Sequence, residues 1–75
     1  MPKLQVGSAI VVRGFVMLKG LEDGQKYRVK SMPDYQGNPT YQFTKLKGKN
    51  FVCRHSTYAV DSYVGSTDLN RIEVV

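Results

Sequence analysis

The 75-residue chain has one cysteine, no tryptophan and three prolines. A single thiol, Cys53, excludes an internal disulfide and a zinc site built from four cysteines. The chain also lacks an apolar run near the ~18 residues that a membrane-spanning helix needs, and no signal-like apolar stretch follows Lys3. We therefore expect a protein of the reducing cytoplasm that has no contact with a membrane.

Acidic residues are scarce in the middle of the chain. Between Gly24 and Ser56 the only one is Asp34, whereas seven basic residues lie there: Lys26, Arg28, Lys30, Lys45, Lys47, Lys49 and Arg54. This segment has a net charge of +6, while four basic and five acidic residues elsewhere contribute −1 to the total of +5. A basic segment attracts phosphate polyanions and acidic surfaces. A solvated face that keeps a small protein soluble has the same composition, so charge alone leaves both interpretations open.

Length and composition indicate one small globular domain, residues 1–75. Apolar residues make up 41% of the chain, which is enough for a folded core and too much for a disordered tail. Glycines and prolines divide the sequence into short segments, and no long window shows the 3.6-residue apolar period of a helix. The expected fold class is all-β or mainly β, with no helix longer than about ten residues.

Alternation of apolar and polar residues predicts the strands. In the strand predicted over residues 25–32, Tyr27 and Val29 fall on one face and three basic residues fall on the other. In the last predicted strand, over residues 71–75, we expect Ile72 and Val74 to face inward and Glu73 to face outward. The remaining strands are predicted over residues 9–15, 40–47 and 51–55.

The segment from Pro33 to Pro39 is polar and contains two prolines, so we expect a loop without regular structure. It carries Tyr35, a large ring that has no periodic reason to be buried. Two roles fit Tyr35: it stacks on a base or nucleotide ring beside the cations of the preceding strand, or it folds back as a lid over the mouth of the barrel. We favour the lid, because the ends of a small barrel need to be filled.

The register between the strands over residues 40–47 and 51–55 depends on the loop that joins them. A two-residue loop at Gly48–Lys49 pairs Phe43 with Arg54, whereas a three-residue loop ending at Asn50 pairs Phe43 with His55. The second is favoured because it gathers four side chains on one apolar face. Those four are Tyr41, Phe43, Phe51 and Cys53.

The next segment, residues 56–64, is either two turns of helix or a loop with aromatic anchors.

Three segments together resemble a Src-homology-3-like barrel. Val6–Val12 (VGSAIVV) is similar to the entry strand of such domains, Gly20–Val29 (GLEDGQKYRV) resembles the turn and second strand, and Asp68–Val75 (DLNRIEVV) looks like the closing strand after a short helical turn. The resemblance implies a small barrel of about five antiparallel strands with one helical turn near residues 57–64. Single-domain proteins of this build are common among bacteriophage early genes, which implies the host cytoplasm. The ligand groove of true Src-homology-3 domains needs a tryptophan, so we do not expect recognition of proline motifs.

Cys53 and His55 lie two residues apart on a predicted strand and therefore share a face, about 7 Å apart at Cα. A thiol–imidazole pair of this kind is a candidate catalytic dyad, with Asp61 or Asp68 to orient the histidine. We expect no enzyme activity, because no nucleophile elbow, oxyanion-type glycine motif or lid accompanies the pair. One cysteine and one histidine also do not fill a tetrahedral metal site, so we expect no metal and no cofactor.

The most economical hypothesis is a non-enzymatic basic binding module that engages a nucleic-acid backbone. Its candidate contacts are Lys26, Arg28, Lys30, Lys45, Lys47, Lys49 and Arg54, joined by Tyr35. One alternative is a phage-type interaction module that binds, and thereby inhibits, an acidic host protein. Another is a small nucleotide pocket in which Tyr35 stacks on the base and the lysines hold the phosphates.

Overall fold

Six strands and one short helix follow one another in the computed structural model, which describes residues 2–75. The helix α1 spans Thr57–Asp61. The strands are β1 (Ala9–Arg13), β2 (Lys26–Ser31), β3 (Asp34–Tyr35), β4 (Asn38–Lys45), β5 (Phe51–Ser56) and β6 (Arg71–Val74). The fold is mainly β, and no helix in the described part of the chain exceeds five residues, as the sequence predicts.

All strand pairs are antiparallel, and together they form one curled sheet that closes about half a barrel. β4 lies beside β2, β2 beside β1, and β1 beside β6. β3 continues β2 along the same side of β4, since Ser31 pairs with Gln42 and Asp34 with Pro39 in one register, whereas β5 pairs with Thr40 to Thr44 on the other side. The sheet is therefore five strands wide, and β5 and β6 form its two ends.

Strand β2 shows how alternation sets the two faces of the sheet. Tyr27 and Val29 are buried, at 4% and 1% exposure, and the three basic side chains between and beside them are exposed. The buried side of the sheet holds an apolar cluster that also receives residues from the loops and from α1. Its members are Leu4, Ile10, Val12, Val16, Leu18, Leu21, Tyr27, Val29, Tyr41, Phe43, Val60, Val64 and Ile72.

The sequence of residues 56–64 allows either two turns of helix or a loop with aromatic anchors, and the helix α1 forms there. Ser56 caps it, because its Oγ accepts a hydrogen bond from the Ala59 N–H at 3.2 Å. Val60 on its inner side is fully buried against the sheet. Nowhere in residues 2–75 is there a helix with the length and apolar character needed to cross a bilayer.

The polar segment 33–39 is a β-hairpin, so the prediction of an irregular loop is wrong. Tyr35 pairs with Asn38, and the two residues between them turn the chain. Both have left-handed backbone conformations, with φ of 53° at Gln36 and 82° at Gly37. Two positive φ values in a two-residue loop are the geometry of a type I′ turn, which suits the twist of flanking strands. The two prolines lie outside the turn, which is why they did not prevent the pairing.

The register between β4 and β5 also differs from the prediction. Phe43 pairs with Cys53, not with His55 or Arg54, and Thr44 pairs with Phe51. The one-residue shift between these pairs is a β-bulge, which inserts an extra residue into β5 and turns Phe51 away from the core. In the last strand Ile72 is buried as expected, but Val74 is 59% exposed and does not face inward.

Candidate functional site

The seven candidate cations lie on β2, β4, β5 and the loop that joins β4 to β5, and every one of them is exposed. We call the surface that they form the basic face. Its residues are Lys26, Arg28, Lys30, Lys45, Lys47, Lys49 and Arg54. Adjacent strands bring most of them together, because β2 and β5 flank β4 on its two sides. Lys45, the last residue of β4, pairs with Tyr27 and therefore lies at the end of the sheet on the side of the core.

Six of these cations surround two open depressions. Lys26, Lys45 and Lys47 line a cavity of about 620 Å³ beside the turn at residues 22–24. The second depression, of about 540 Å³, is lined by cations from β2 and from the β4–β5 loop together with Thr44. Those cations are Arg28, Lys30 and Lys49. Each depression thus brings together charges that lie up to 21 positions apart in the sequence.

Arg54 and Tyr35 form the third part of the basic face. The Arg54 guanidinium lies 4.8 Å from the centroid of the Tyr35 ring, and its Nη1 donates a hydrogen bond to the Tyr35 hydroxyl. Arg54 pairs with Gln42 across β5 and β4, on the outer side of the sheet. Tyr35 is therefore an outer-face residue held by Arg54 and not a lid over the barrel end. It lines neither of the lysine-rich depressions.

No cation of the basic face forms an ion pair within the described residues, although Glu22 lines the depression that Lys26, Lys45 and Lys47 share. The ion pairs of residues 2–75 join Glu73 to Arg13 at 3.5 Å and to Arg71 at 3.6 Å. Both lie on β1 and β6, at the opposite end of the sheet from β5. Of the basic-face guanidinium groups, Arg28 donates to the Gly7 carbonyl at 2.8 Å, which leaves its charge unpaired.

Phe51 is a candidate site residue that sequence reasoning missed. We expected it in the core beside Phe43, but it is 53% exposed and pairs with Thr44. Thr44 in turn pairs with Arg28 on its other side, so Arg28, Thr44 and Phe51 form one row across the outer face. The β-bulge turns Phe51 outward, and no pattern in the local sequence predicts that bulge.

The Cys53 thiol lies half-buried against the core, as its position on the inner side of β5 predicts. Burial raises the pKa of Cys53 from 9.0 to about 11, so the thiol stays protonated at neutral pH and is a poor nucleophile. His55 is directed elsewhere, because its Nε2 lies 2.7 Å from the Lys19 carbonyl oxygen and donates to it. No group of three or more potential metal-ligating side chains comes together in the described chain.

A different kind of surface lies where the loop after β1 meets the loop before β6. Phe15, Met17 and Leu69 are 74%, 80% and 86% exposed. The two loops are joined by hydrogen bonds from the Phe15 N–H to Asn70 Oδ1 at 2.9 Å and from the Met17 N–H to the Tyr63 hydroxyl at 3.0 Å. These three apolar side chains therefore project from a tied loop pair outside the basic face.

Comparisons of the chain with models of known protein families, with curated proteins and with solved structures found no match.

Proposed function

We propose that this protein is a non-enzymatic module that binds a nucleic-acid backbone through the basic face. The observation that carries the proposal is the grouping of seven exposed cations, none of them in an ion pair within residues 2–75, on three adjacent strands and one loop. Unpaired lysines and arginines attract phosphates and release their condensed counterions on binding. Contacts of this kind position the ligand and carry little sequence information.

Two observations support a role without catalysis. The half-buried thiol of Cys53 is protonated at neutral pH, and the His55 ring donates its hydrogen bond to a backbone carbonyl. We also propose that the fold is Src-homology-3-like and of the phage type, and that it acts in the cytoplasm. Support for the fold comes from the curled antiparallel sheet, from the short helix before the last strand and from the pairing of that strand with β1.

The test is binding of a labelled mixed-sequence oligonucleotide at several salt concentrations. The double variant Lys30→Gln/Lys49→Gln removes two charges from the basic face without touching the core. We expect weaker binding to every sequence. The slope of log affinity against log salt should be shallower by about 0.9 on a duplex, or about 0.7 on a single strand, for each phosphate that the variant no longer neutralises. Folding should be unchanged, because both side chains are exposed.

The matched control is Arg13→Gln/Arg71→Gln, which removes the same charge from the ion-paired end of the sheet. It should leave the salt slope close to that of the wild type. If both double variants weaken binding equally, net charge and not the basic face is responsible. If the wild type does not bind at low salt, the proposal is wrong.

A second candidate function is a protein-interaction module. The exposed side chains of Phe15, Met17 and Leu69 favour it, because they project from two hydrogen-bonded loops and exposed apolar clusters mark protein contacts. The basic face would then steer an acidic host protein, and the apolar side chains would supply affinity that survives moderate salt. Pull-down with and without nuclease separates the two functions, since Phe15→Ser/Leu69→Ser should abolish only a nuclease-resistant interaction.

The nucleotide-pocket alternative loses support, because Tyr35 lines neither depression that the lysines surround.

A further inference from the structure

The exposure of Phe51 has no explanation in the packing of the fold. Tyr41 and Phe43, which we expected on the same apolar face as Phe51, are completely buried. Phe51 is 53% exposed and is not among the side chains packed on the core. The β-bulge in β5 turns the ring outward at the cost of a regular ladder. A half-exposed phenylalanine at such a position offers a flat apolar surface to solvent.

Cations lie on one side of this ring, across Thr44. Phe51 pairs with Thr44, and Thr44 pairs with Arg28, so the ring and the guanidinium flank the same threonine on the outer face. Thr44 also lines the depression that Lys30 and Lys49 border. Phe51 is therefore an apolar platform beside a group of phosphate-binding side chains.

A second ring lies on the same face, further along β4. Tyr35 pairs with Asn38, which points to the same side of β4 as Thr44 because the two positions differ by an even number. The Tyr35 ring is 44% exposed and is held by the guanidinium of Arg54 at 4.8 Å. Arg54 pairs with Gln42, which lies between the positions opposite the two rings.

The outer face around β4 thus carries Phe51 and Arg54 on β5 and Tyr35 on β3, on opposite sides of β4 and at successive positions along it. The positions that pair with Phe51 and Tyr35 are six residues apart on β4, and at about 3.3 Å of rise per residue the rings lie roughly 20 Å from one another along the strand. Arg54 lies between them, and Arg28 borders the Phe51 end.

We infer that the ligand of the basic face is a single-stranded nucleic acid whose bases stack on Phe51 and Tyr35; this inference rests on the function proposed above. A single strand presents phosphates and free base faces together, and both are matched on this surface. A duplex keeps its bases stacked inside and offers mainly phosphates, so the two rings would add nothing to its binding. The recognition is independent of sequence, since every base has a π-face.

The test uses fluorescence anisotropy with a labelled oligodeoxythymidylate and with a mixed-sequence duplex of equal length at equal salt. The wild type should bind the single strand more tightly than the duplex. Phe51→Leu should weaken single-strand binding by about 5- to 50-fold, leave duplex binding unchanged, and leave the salt slope unchanged because no charge is removed. Phe15→Leu is the matched control, since it makes the same substitution at an exposed phenylalanine outside the basic face. It should change neither affinity.

The outcomes separate this inference from the proposed function. Equal affinity of Phe51→Leu and wild type for the single strand overturns the stacking inference and leaves backbone binding in place. Failure of the wild type to bind either ligand at low salt overturns backbone binding itself.

A second measurement needs no substitution. In a titration of the wild-type protein with the oligodeoxythymidylate, the ring-proton resonances of Phe51 and Tyr35 should shift, because a stacked base exerts a ring current on them. The resonances of Phe15 should stay in place. Shifts confined to lysine and arginine signals would contradict stacking.

Discussion

The Tyr41 side chain combines burial with two hydrogen bonds. Its hydroxyl donates to Asp61 Oδ1 at 2.7 Å and accepts from the Leu4 N–H at 3.0 Å, so one phenol joins β4 to α1 and to the chain before β1. Burial is the main cause that raises the pKa of Tyr41 from 10.0 to about 12, and the hydrogen bond to Asp61 adds to the effect. The folded state therefore keeps this proton under conditions in which an unfolded tyrosine has lost it.

We expect Tyr41→Phe to lower the free energy of unfolding at neutral pH by about 1–3 kcal/mol, because the buried Leu4 N–H loses its partner. The contribution of the Tyr41 proton is fully present below pH 10 and is lost as the pH rises towards 12. The stability difference between wild type and variant should therefore shrink over that range. Urea denaturation at a series of pH values measures this difference, and groups that titrate in both proteins cancel. A difference that stays constant with pH would contradict the assignment.

At the scale of elements, the β3–β4 hairpin is closed by a turn that its sequence does not optimise. Gln36 occupies a left-handed position, with φ of 53°, that glutamine adopts less readily than asparagine. Asparagine followed by glycine is the preferred pair in type I′ turns. The strand pairing and the contact of Tyr35 with Arg54 therefore stabilise the hairpin, and they offset the mildly unfavourable backbone conformation of Gln36.

Replacing Gln36 by Asn should raise the free energy of unfolding by up to about 1 kcal/mol, because the left-handed conformation becomes less costly. Thermal denaturation followed by circular dichroism detects a change of this size in a domain this small. Gln25→Asn is the control, since Gln25 is exposed and has no positive φ. Destabilisation by Gln36→Asn would show that the glutamine side chain makes a contact that the turn geometry does not require.

Some elements could be predicted from the sequence because their signal is local. Alternation placed Tyr27 and Val29 inside and the β2 cations outside, which is the arrangement found. The register of β5 could not be predicted, because it depends on a bulge whose cost is offset by packing elsewhere in the fold. The same bulge decides the position of Phe51, so the aromatic part of the candidate site followed from tertiary structure alone.

At the scale of the whole molecule, the fold gathers the basic charge on one part of the sheet. The segment between Gly24 and Ser56 forms β2 to β5, so a bias along the sequence becomes a bias across the surface. The acidic Glu73 instead lies on β6, paired with Arg13 and Arg71. The cations of the site were therefore predictable from the sequence, whereas the two depressions that they line needed the fold.

The core of this small domain depends on residues outside the strands. Leu4 precedes β1 by five positions, yet it is only 2% exposed and belongs to the apolar cluster. Its N–H is held by the Tyr41 hydroxyl, so the segment before β1 closes one side of the core. A chain of this length has a total stability of roughly 4–11 kcal/mol, so one buried leucine is a large share of it.

We expect Leu4→Ala to lower the free energy of unfolding by about 2–5 kcal/mol, because the substitution removes buried methyl groups and leaves a cavity that the fold fills only in part. Urea denaturation should show a much lower midpoint with an unchanged slope, since the surface exposed on unfolding stays nearly the same. Val6→Ala is the matched control: Val6 lies two residues further on, is 61% exposed, and should change stability by less than about 0.5 kcal/mol. Equal effects at the two positions would mean that Leu4 is not a core residue and that the core closes without the segment before β1.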